Sequence, residues 1–431
     1  MTLSRDVLAH DLLDTAFSPP TGASPGAPRV GAEVELIAVD VATRRPCAVE
    51  RSTLPLLRAH GARRGWREEW SGKGAPVFHT PDGGRLTLEP GGQVELSAAP
   101  ARSASALLAS LRATVVPLRA AAIEAGTELL AVGIDPRNPV ERAPLQLRGE
   151  RYARMAEYFA GIDPAGARMM RQTAAFQLSL DLGDPRADAP RRWRVLNAAA
   201  PLVVAIFANS PRYAGAATGC RSWRAEGWRR LDPRRTGVLP AAGGTPEACA
   251  EEYLDFALAA PAIMRRGDGG EYLPFAAWCA RDREPPPTLD DWRTHLTTLF
   301  PEVRPRGYLE LRSADAVAPE WYAAPVALLT GALYHAPALA EAELLLDDPD
   351  AELLRRAGVC ALRDPRLARA AADLARIALA GCKALGPAWI SGADLESARE
   401  FFERYTFRGR SPADDADAAA EESGARGEAA D

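Results

Sequence analysis

The chain is almost without lysine: of its 52 basic residues only Lys73 and Lys383 are lysine, and the rest are arginine. Together with heavy alanine and proline usage, this reads as genome composition rather than recognition. The sequence has no GxxxxGK[ST] loop and no GxGxxG turn between a strand and a helix, so a nucleotide would have to be held by other means. Its six cysteines show neither CxxC nor any other metal spacing, and they read as reduced core residues. No run of eighteen apolar residues is present, and Asp6, Asp11 and Asp14 stand where a signal or transit peptide would be basic and then apolar. The expectation is a cytoplasmic protein with no membrane partner. A basic stripe is also missing. The net charge of -5 comes from residues 411–431, where seven acids face one arginine, so the remaining body is nearly neutral. Nucleic acid is therefore not an expected partner.

What is present is enough apolar material, 47% of 431 residues, for one large domain or two ordinary ones. Residues 1–28 read as a helix, Asp6–Phe17, followed by a Pro/Gly/Ser linker. Residues 29–410 read as a single domain, and 411–431 as a disordered, dispensable acidic tail. Within the body, short alternating strands are separated by helical patterns over 101–125 (with a kink at Pro117), 149–160, 191–208, 246–265, 288–299, 319–337, 364–384 and 393–407. The expected fold class is α+β.

Strand residues two apart share a face. In Val30–Val39, Glu33 and Glu35 point away from Val34, Leu36 and Ala38. In the stretch Arg85–Ser97, Leu86, Leu88, Val94 and Leu96 oppose Thr87, Glu89, Gln93, Glu95 and Ser97 around a Pro-Gly-Gly turn. Gln177 lies on the polar side of Phe176–Asp181, and Glu310 with Arg312 on that of Tyr308–Ser313. If these strands share a sheet, its polar face gathers Glu33, Glu35, Glu89, Glu95, Gln177 and Glu310 with Arg312. Two carboxylates ~5 Å apart repel by about 3 kcal/mol at an effective dielectric near ~20. Such a set therefore calls for a cation or a proton. Magnesium suits carboxylate oxygens and bridges to nucleotide phosphates. A solvated outer face of an antiparallel sheet would also carry charge, but it usually mixes lysine, arginine and threonine with the acids.

Read together and in order, the motifs are specific. They are Gly31-Ala-Glu-Val-Glu35, Leu88–Ser97, Met169-Met-Arg-Gln-Thr173 leading into Phe176–Asp181, Phe207-Ala-Asn-Ser-Pro211, Asp232-Pro-Arg-Arg-Thr-Gly237, and His295–Arg304 before Tyr308–Arg312. This succession resembles the plant-type glutamate–cysteine ligases, which are carboxylate–amine ligases and include bacterial enzymes of ergothioneine biosynthesis. The resemblance implies a glutamine-synthetase-like antiparallel catalytic sheet with helices packed on its apolar face. It also implies that ATP and Mg2+ are used to join the γ-carboxylate of L-glutamate to the amine of L-cysteine through a γ-glutamyl phosphate. By the same resemblance Glu33, Glu35, Glu89, Glu95, Gln177 and Glu310 hold metal. Arg235 binds substrate and takes part in catalysis, Arg312 contacts the phosphate or acyl phosphate, and Met170 and Thr173 line the amino-acid pocket. His295 reads equally as a core histidine.

The chain departs from the family before its Arg-Thr-Gly motif. Extra residues separate Arg221-Ser222 from Trp228, and Arg230 stands at an acid position. That departure keeps a second reading open, a related ligase joining glutamate to a different amine. A non-catalytic nucleotide- and metal-binding protein is a third. The expected assembly is a monomer or homodimer. Removing a carboxylate such as Glu310 is expected to relieve repulsion and leave the metal-free fold intact or more stable.

Overall fold

The computed structural model describes residues 3–19, 28–70, 74–265, 272–281 and 285–418. The expected linker lies mostly outside these residues, as does the tail beyond 418. Seven strands open the chain order: β1 (Val30–Asp40), β2 (Arg67–Trp70), β3 (Pro76–His79), β4 (Arg85–Leu88), β5 (Val94–Ser97), β6 (Thr127–Leu130) and β7 (Ala175–Leu180). Four two-residue strands follow: β8 (Arg212–Tyr213) with β9 (Ala216–Ala217), and β10 (Thr236–Gly237) with β11 (Phe300–Pro301). Last come β12 (Val303–Pro305) and β13 (Leu309–Asp315). The large sheet has nine strands in the order β12-β13-β7-β1-β5-β4-β3-β2, with β6 also paired to β1.

Its pairings are antiparallel, and their register decides which side chains meet. Glu33 sits opposite Gln177 across β1–β7 and opposite Ser97 across β1–β5, while Glu35 sits opposite Glu95. The alternate residues Val34, Leu36, Leu86, Leu96, Phe176, Leu178, Leu309 and Leu311 are all buried on the other face. Burial of that face at about 25 cal/mol per Å2 is what fixes the register, because a one-residue slip would turn every carboxylate into the core. Helices cover this face, among them Ala104–Glu124, Ala189–Ile206 and the apolar Ala323–Tyr334.

The first eight helices are α1 (Arg5–Thr15), α2 (Leu54–Arg64), α3 (Ala104–Glu124), α4 (Glu150–Ala160), α5 (Ala165–Gln172), α6 (Ala189–Ile206), α7 (Trp223–Arg229) and α8 (Pro246–Ala259). Among the described residues α3 is long and apolar enough to cross a membrane. It runs continuously through Pro117, buries Leu107, Leu108, Leu111, Val115 and Leu118, and is tied down by Arg112 to Asp394. Helix α1 is part of the same body rather than a detached element: Leu8 and Leu12 are buried, Arg5 pairs with Glu251 of α8, and Asp11 pairs with Arg293.

A second, smaller apolar cluster lies over the polar face. Met155, Tyr158 and Phe159 of α4, Met169 and Met170 of α5, Leu231 and Phe300 form it, with Trp228 of α7 against it. The turn Pro90-Gly91-Gly92 docks this roof. A Cβ on Gly91 would lie 2.0 Å from the Arg171 carbonyl oxygen, so only glycine lets the end of α5 approach the hairpin.

The boundary expected at 410 does not hold. Residues 412–418 continue as helix, Ala413 is fully buried, and Asp414 and Asp415 are ion-paired to the body. Composition reads as disorder only where no partner is in reach. Here Arg221, Arg363, Arg404 and Arg410 supply partners.

Candidate active site

One cavity of about 150 Å3 is lined by Glu33, Glu35, Glu89, Gln93, Glu95 and Gln177 from the sheet. Arg312 closes it from β13, and Met155, Met169, Met170, Thr173 and Trp228 close it from the roof. Eight of the ten residues expected at a site from sequence therefore meet here. The alternation of β1, β5 and β7 brings the acids to one wall, and the glycine turn brings α5 down on them.

The acids have few partners. Glu35 accepts from the Ala175 amide at 2.8 Å and from Gln177 Nε2 at 2.9 Å. Glu95 accepts from Thr87 Oγ1 at 2.9 Å, and Ser97 Oγ lies 3.3 Å from Glu33. Among the described residues no arginine or lysine is ion-paired with Glu33, Glu35, Glu89 or Glu95. Burial and then the neighbouring Glu95 and Glu310 push Glu33 up to about 7. Burial first, then Glu95 and Glu35, raises Glu89 well above the usual carboxylate range, and burial also raises Glu35 and Glu95. An uncompensated buried carboxylate is costly, so this wall favours protons or a cation.

The donor set is oxygen only, from carboxylates and an amide, which suits a hard ion such as Mg2+ and not a thiolate- or imidazole-seeking metal. The side chains share a wall without being gathered into a cage. Among the described residues no three His, Cys, Asp or Glu side chains are grouped closely enough to hold an ion as they stand.

Two expected site residues are placed differently. Glu310 has no exposure and does not line the cavity. Its carboxylate is shared by Arg304 at 2.7 Å, Arg312 at 3.0 Å and Arg306 at 3.4 Å. Burial alone would raise it, but Arg304, Arg312 and Arg306 hold it down at about 2. In this geometry it is the anion of an arginine cluster, not a free metal ligand. Arg235 is also fully buried, and it stands in the roof. Its Nη1 donates to Thr298 O at 2.8 Å and its Nη2 to Pro261 O at 2.5 Å, and the guanidinium lies 4.6 Å over the Tyr158 ring. The expectation that it touches substrate is not met here, because the side chain is fully buried and both terminal nitrogens donate to backbone carbonyls. His295 is a core residue: its Nε2 lies 2.8 Å from Ala257 O, and burial lowers it to about 3.

Sequence reasoning missed Arg304, Arg151 and Tyr152, which also line the cavity, as do Arg224 and Trp228 of the variant 221–230 segment. Arg304 closes the motif His295–Arg304, but only the β12–β13 register sets it opposite Glu310. Arg312 joins the two regions: its Nη1 donates to Gln177 Oε1 at 2.5 Å and to Glu310 Oε2 at 3.0 Å. Arg151, Tyr152 and Arg304 also border a larger cavity of about 630 Å3 that carries Arg293 and Arg306. The glutamate-walled cavity thus shares Arg151 and Arg304 with a cavity whose charged lining is mostly arginine, a layout suited to a polyanion whose charge is shared between metal and guanidinium groups.

The profile of "Glutamate-cysteine ligase family 2 (GCS2)" matches residues 29–429. The glutamate–cysteine ligase EgtA of Mycolicibacterium smegmatis is 36% identical over 399 residues, covering 90% of this chain and 86% of that one. The chloroplastic glutamate–cysteine ligase of Nicotiana tabacum is 33% identical over 299 residues, covering 67% of this chain and 56% of that one. Among solved structures, a glutamate–cysteine ligase from Francisella tularensis in complex with AMP superposes with a TM-score of 0.51 at 12% identity. That superposition covers 90% of this chain and 83% of the other, and it shows a shared glutamine-synthetase-like α+β fold.

Proposed function

Since the chain belongs to glutamate–cysteine ligase family 2 and is a ligase, we propose that it joins the γ-carboxylate of L-glutamate to the amine of L-cysteine at the expense of ATP. The γ-carboxylate attacks the γ-phosphorus, releasing ADP and forming γ-glutamyl phosphate. The cysteine amine then attacks the acyl carbon, and phosphate leaves as γ-glutamylcysteine forms. Glu33, Glu35, Glu89, Glu95 and Gln177 would hold Mg2+, which when bound offsets charge on the polyphosphate. Arg312 is suited to the transferring phosphoryl group, being a planar donor fork at the cavity wall. Met170 and Thr173 would line the amino-acid pocket. Arg235, buried in the roof, would brace that pocket through Tyr158 and Asp232 rather than touch the substrate.

The observation that carries this reading is a set of four half-buried glutamates facing one cavity, with no arginine or lysine among the described residues ion-paired to them. ADP release with L-glutamate, ATP, Mg2+ and a panel of amines, with mass detection of the product, tests it. L-Cysteine is expected to be the fastest acceptor, and a clear preference for another amine would replace it. That second reading is favoured by Trp228 and Phe300, which flank Arg312 at 5.9 Å and shape the pocket beside the variant 221–230 segment. Family membership removes the non-catalytic reading.

A further inference from the structure

The first residues of the acidic C-terminus lie against the segment that leads into the cavity. The Ala413 amide donates to Ala208 O at 2.9 Å, which fixes the short helix at the end of α6. From there Asp414 pairs with Arg221 at 2.9 Å and with Arg363 at 2.8 Å, and Asp417 pairs with Arg221 from the other side. The Arg221 side chain is 5% exposed, and these two carboxylates compensate its charge in place of water.

Arg221 is directly followed by the cap of α7. The amides of Arg221 and Ser222 donate to Gly358 O at 3.0 and 2.9 Å. Ser222 Oγ accepts from the Ala225 amide at 3.0 Å and donates to buried Asp315 at 2.9 Å. One turn on, Arg224 donates to the backbone carbonyls of Arg312 at 2.8 Å and Ser313 at 3.3 Å. Trp228, at the far end of α7, lines the cavity and lies 5.9 Å from the Arg312 guanidinium. A continuous path of contacts therefore runs from the tail through Arg221 and the Ser222 cap to Arg224, Trp228 and Arg312.

We infer that Asp414 and Asp417 are positioning residues: they latch Arg221 and so set α7, with Trp228 and the backbone of Arg312, against the reacting centre. Without them Arg221 must turn toward water to be solvated, and Ser222 and the start of α7 move with it. The inference rests on the ligase reading of the cavity. It replaces the expectation that the whole acidic tail is dispensable.

The test uses the full-length chain carrying Asp414→Asn with Asp417→Asn. The control is Asp415→Asn, on the same short helix but paired with Arg404, Arg410 and Tyr405 instead. Displacement of a positioned group predicts that kcat for ligation falls about tenfold in the double variant while the KM for ATP stays within about twofold. Asp415→Asn should keep kcat within about twofold, and Asp414→Glu with Asp417→Glu should restore most of the loss. Amide hydrogen exchange over residues 223–229 should accelerate in the double variant only. Unchanged kcat and unchanged exchange in the double variant would overturn the latch, and so would an equal loss in the control. Absence of turnover in the unaltered chain would sink the ligase reading, while the exchange measurement would still decide the latch. If the double variant does not purify, Asp417→Asn alone is read by the same two measurements.

Discussion

Two regions of one polar sheet face carry glutamates in opposite electrostatic states. On β13, Glu310 is surrounded by Arg304, Arg306 and Arg312 and is held down at about 2. On β1, at the end of β4 and on β5, Glu33, Glu35, Glu89 and Glu95 find among the described residues only hydroxyl, amide or backbone donors or none, and each is raised, Glu33 to about 7. Glu310 is fully buried and the other four are half-buried, so desolvation acts in both regions and most on the one acid that is lowered; it cannot account for the difference. Counter-charge does. The arginine cluster is a closed account of charge within the protein, whereas the acidic wall is left open for a cation brought from outside. Placement on a strand therefore tells which residues share a cavity, but not which of them are available to a ligand.

The largest test of this contrast swaps a carboxylate for its neutral isostere in the open region. Glu89→Gln is expected to lower ligation on the order of a thousandfold, by removing an anionic oxygen from the wall. In metal-free buffer the same variant should gain about 1–3 kcal/mol of stability, because a buried like charge is gone. Chemical denaturation with and without Mg2+ reads both states, and a destabilised metal-free variant would break the contrast. In the closed region the sign reverses. Glu310→Ala leaves three arginines without their anion, and it should cost about 3–5 kcal/mol instead of relieving repulsion. Denaturant midpoints decide it, and a neutral or stabilising result would return Glu310 to the open set.

The third test uses pH. The folded state holds Glu33 near 7 against an ordinary value of 4.5, so its protonated form is the one the fold favours. Stability from this group is fully present below 4.5 and is lost as pH rises through about 7. The metal-free protein should therefore lose about 1–3 kcal/mol across that window relative to Glu33→Gln. Mg2+ must displace the same protons, so its stabilising effect should grow as pH rises from 5 to 8. A thermal-shift series with both proteins checks this, and parallel curves for the two would remove Glu33 from the titration.

How much of this was legible in the sequence follows from range. Period-two alternation is local, and it put Glu33, Glu35, Glu95 and Gln177 on one face before any coordinates. The partners of Glu310 were not local in the same way, because Arg304 meets it only through the β12–β13 register and Arg306 from the turn at Gly307. Helices α5 and α7, of eight and seven residues, are too short for a helical period to declare itself, yet they carry the roof of the cavity. Arg235 sits in a legible motif, but its burial depends on Thr298 and Pro261, far along the chain. The acidic tail looked like a solvated run because the arginines that bind it lie in the segments 221, 363 and 404–410.

The smallest and sharpest test acts on the residue that touches both regions. Gln177 accepts from Arg312 through Oε1 and donates to Glu35 through Nε2, so its amide matches a cation on one side and an anion on the other. A carboxylate there would repel Glu35, and an ammonium would repel Arg312; only a neutral group with both polarities serves. Gln177→Leu removes both bonds at similar volume and should cost about 1 kcal/mol of stability. Losing its donor, Glu35 should hold its proton to still higher pH, so the pH at which Mg2+ begins to stabilise the protein should move upward. Gln177→Glu should do something else, drawing Arg312 away from Glu310 while adding an anion to the open wall, and Mg2+ should then stabilise it more than the parent. If both variants respond to Mg2+ as the parent does, the two regions are independent and Gln177 does not couple them.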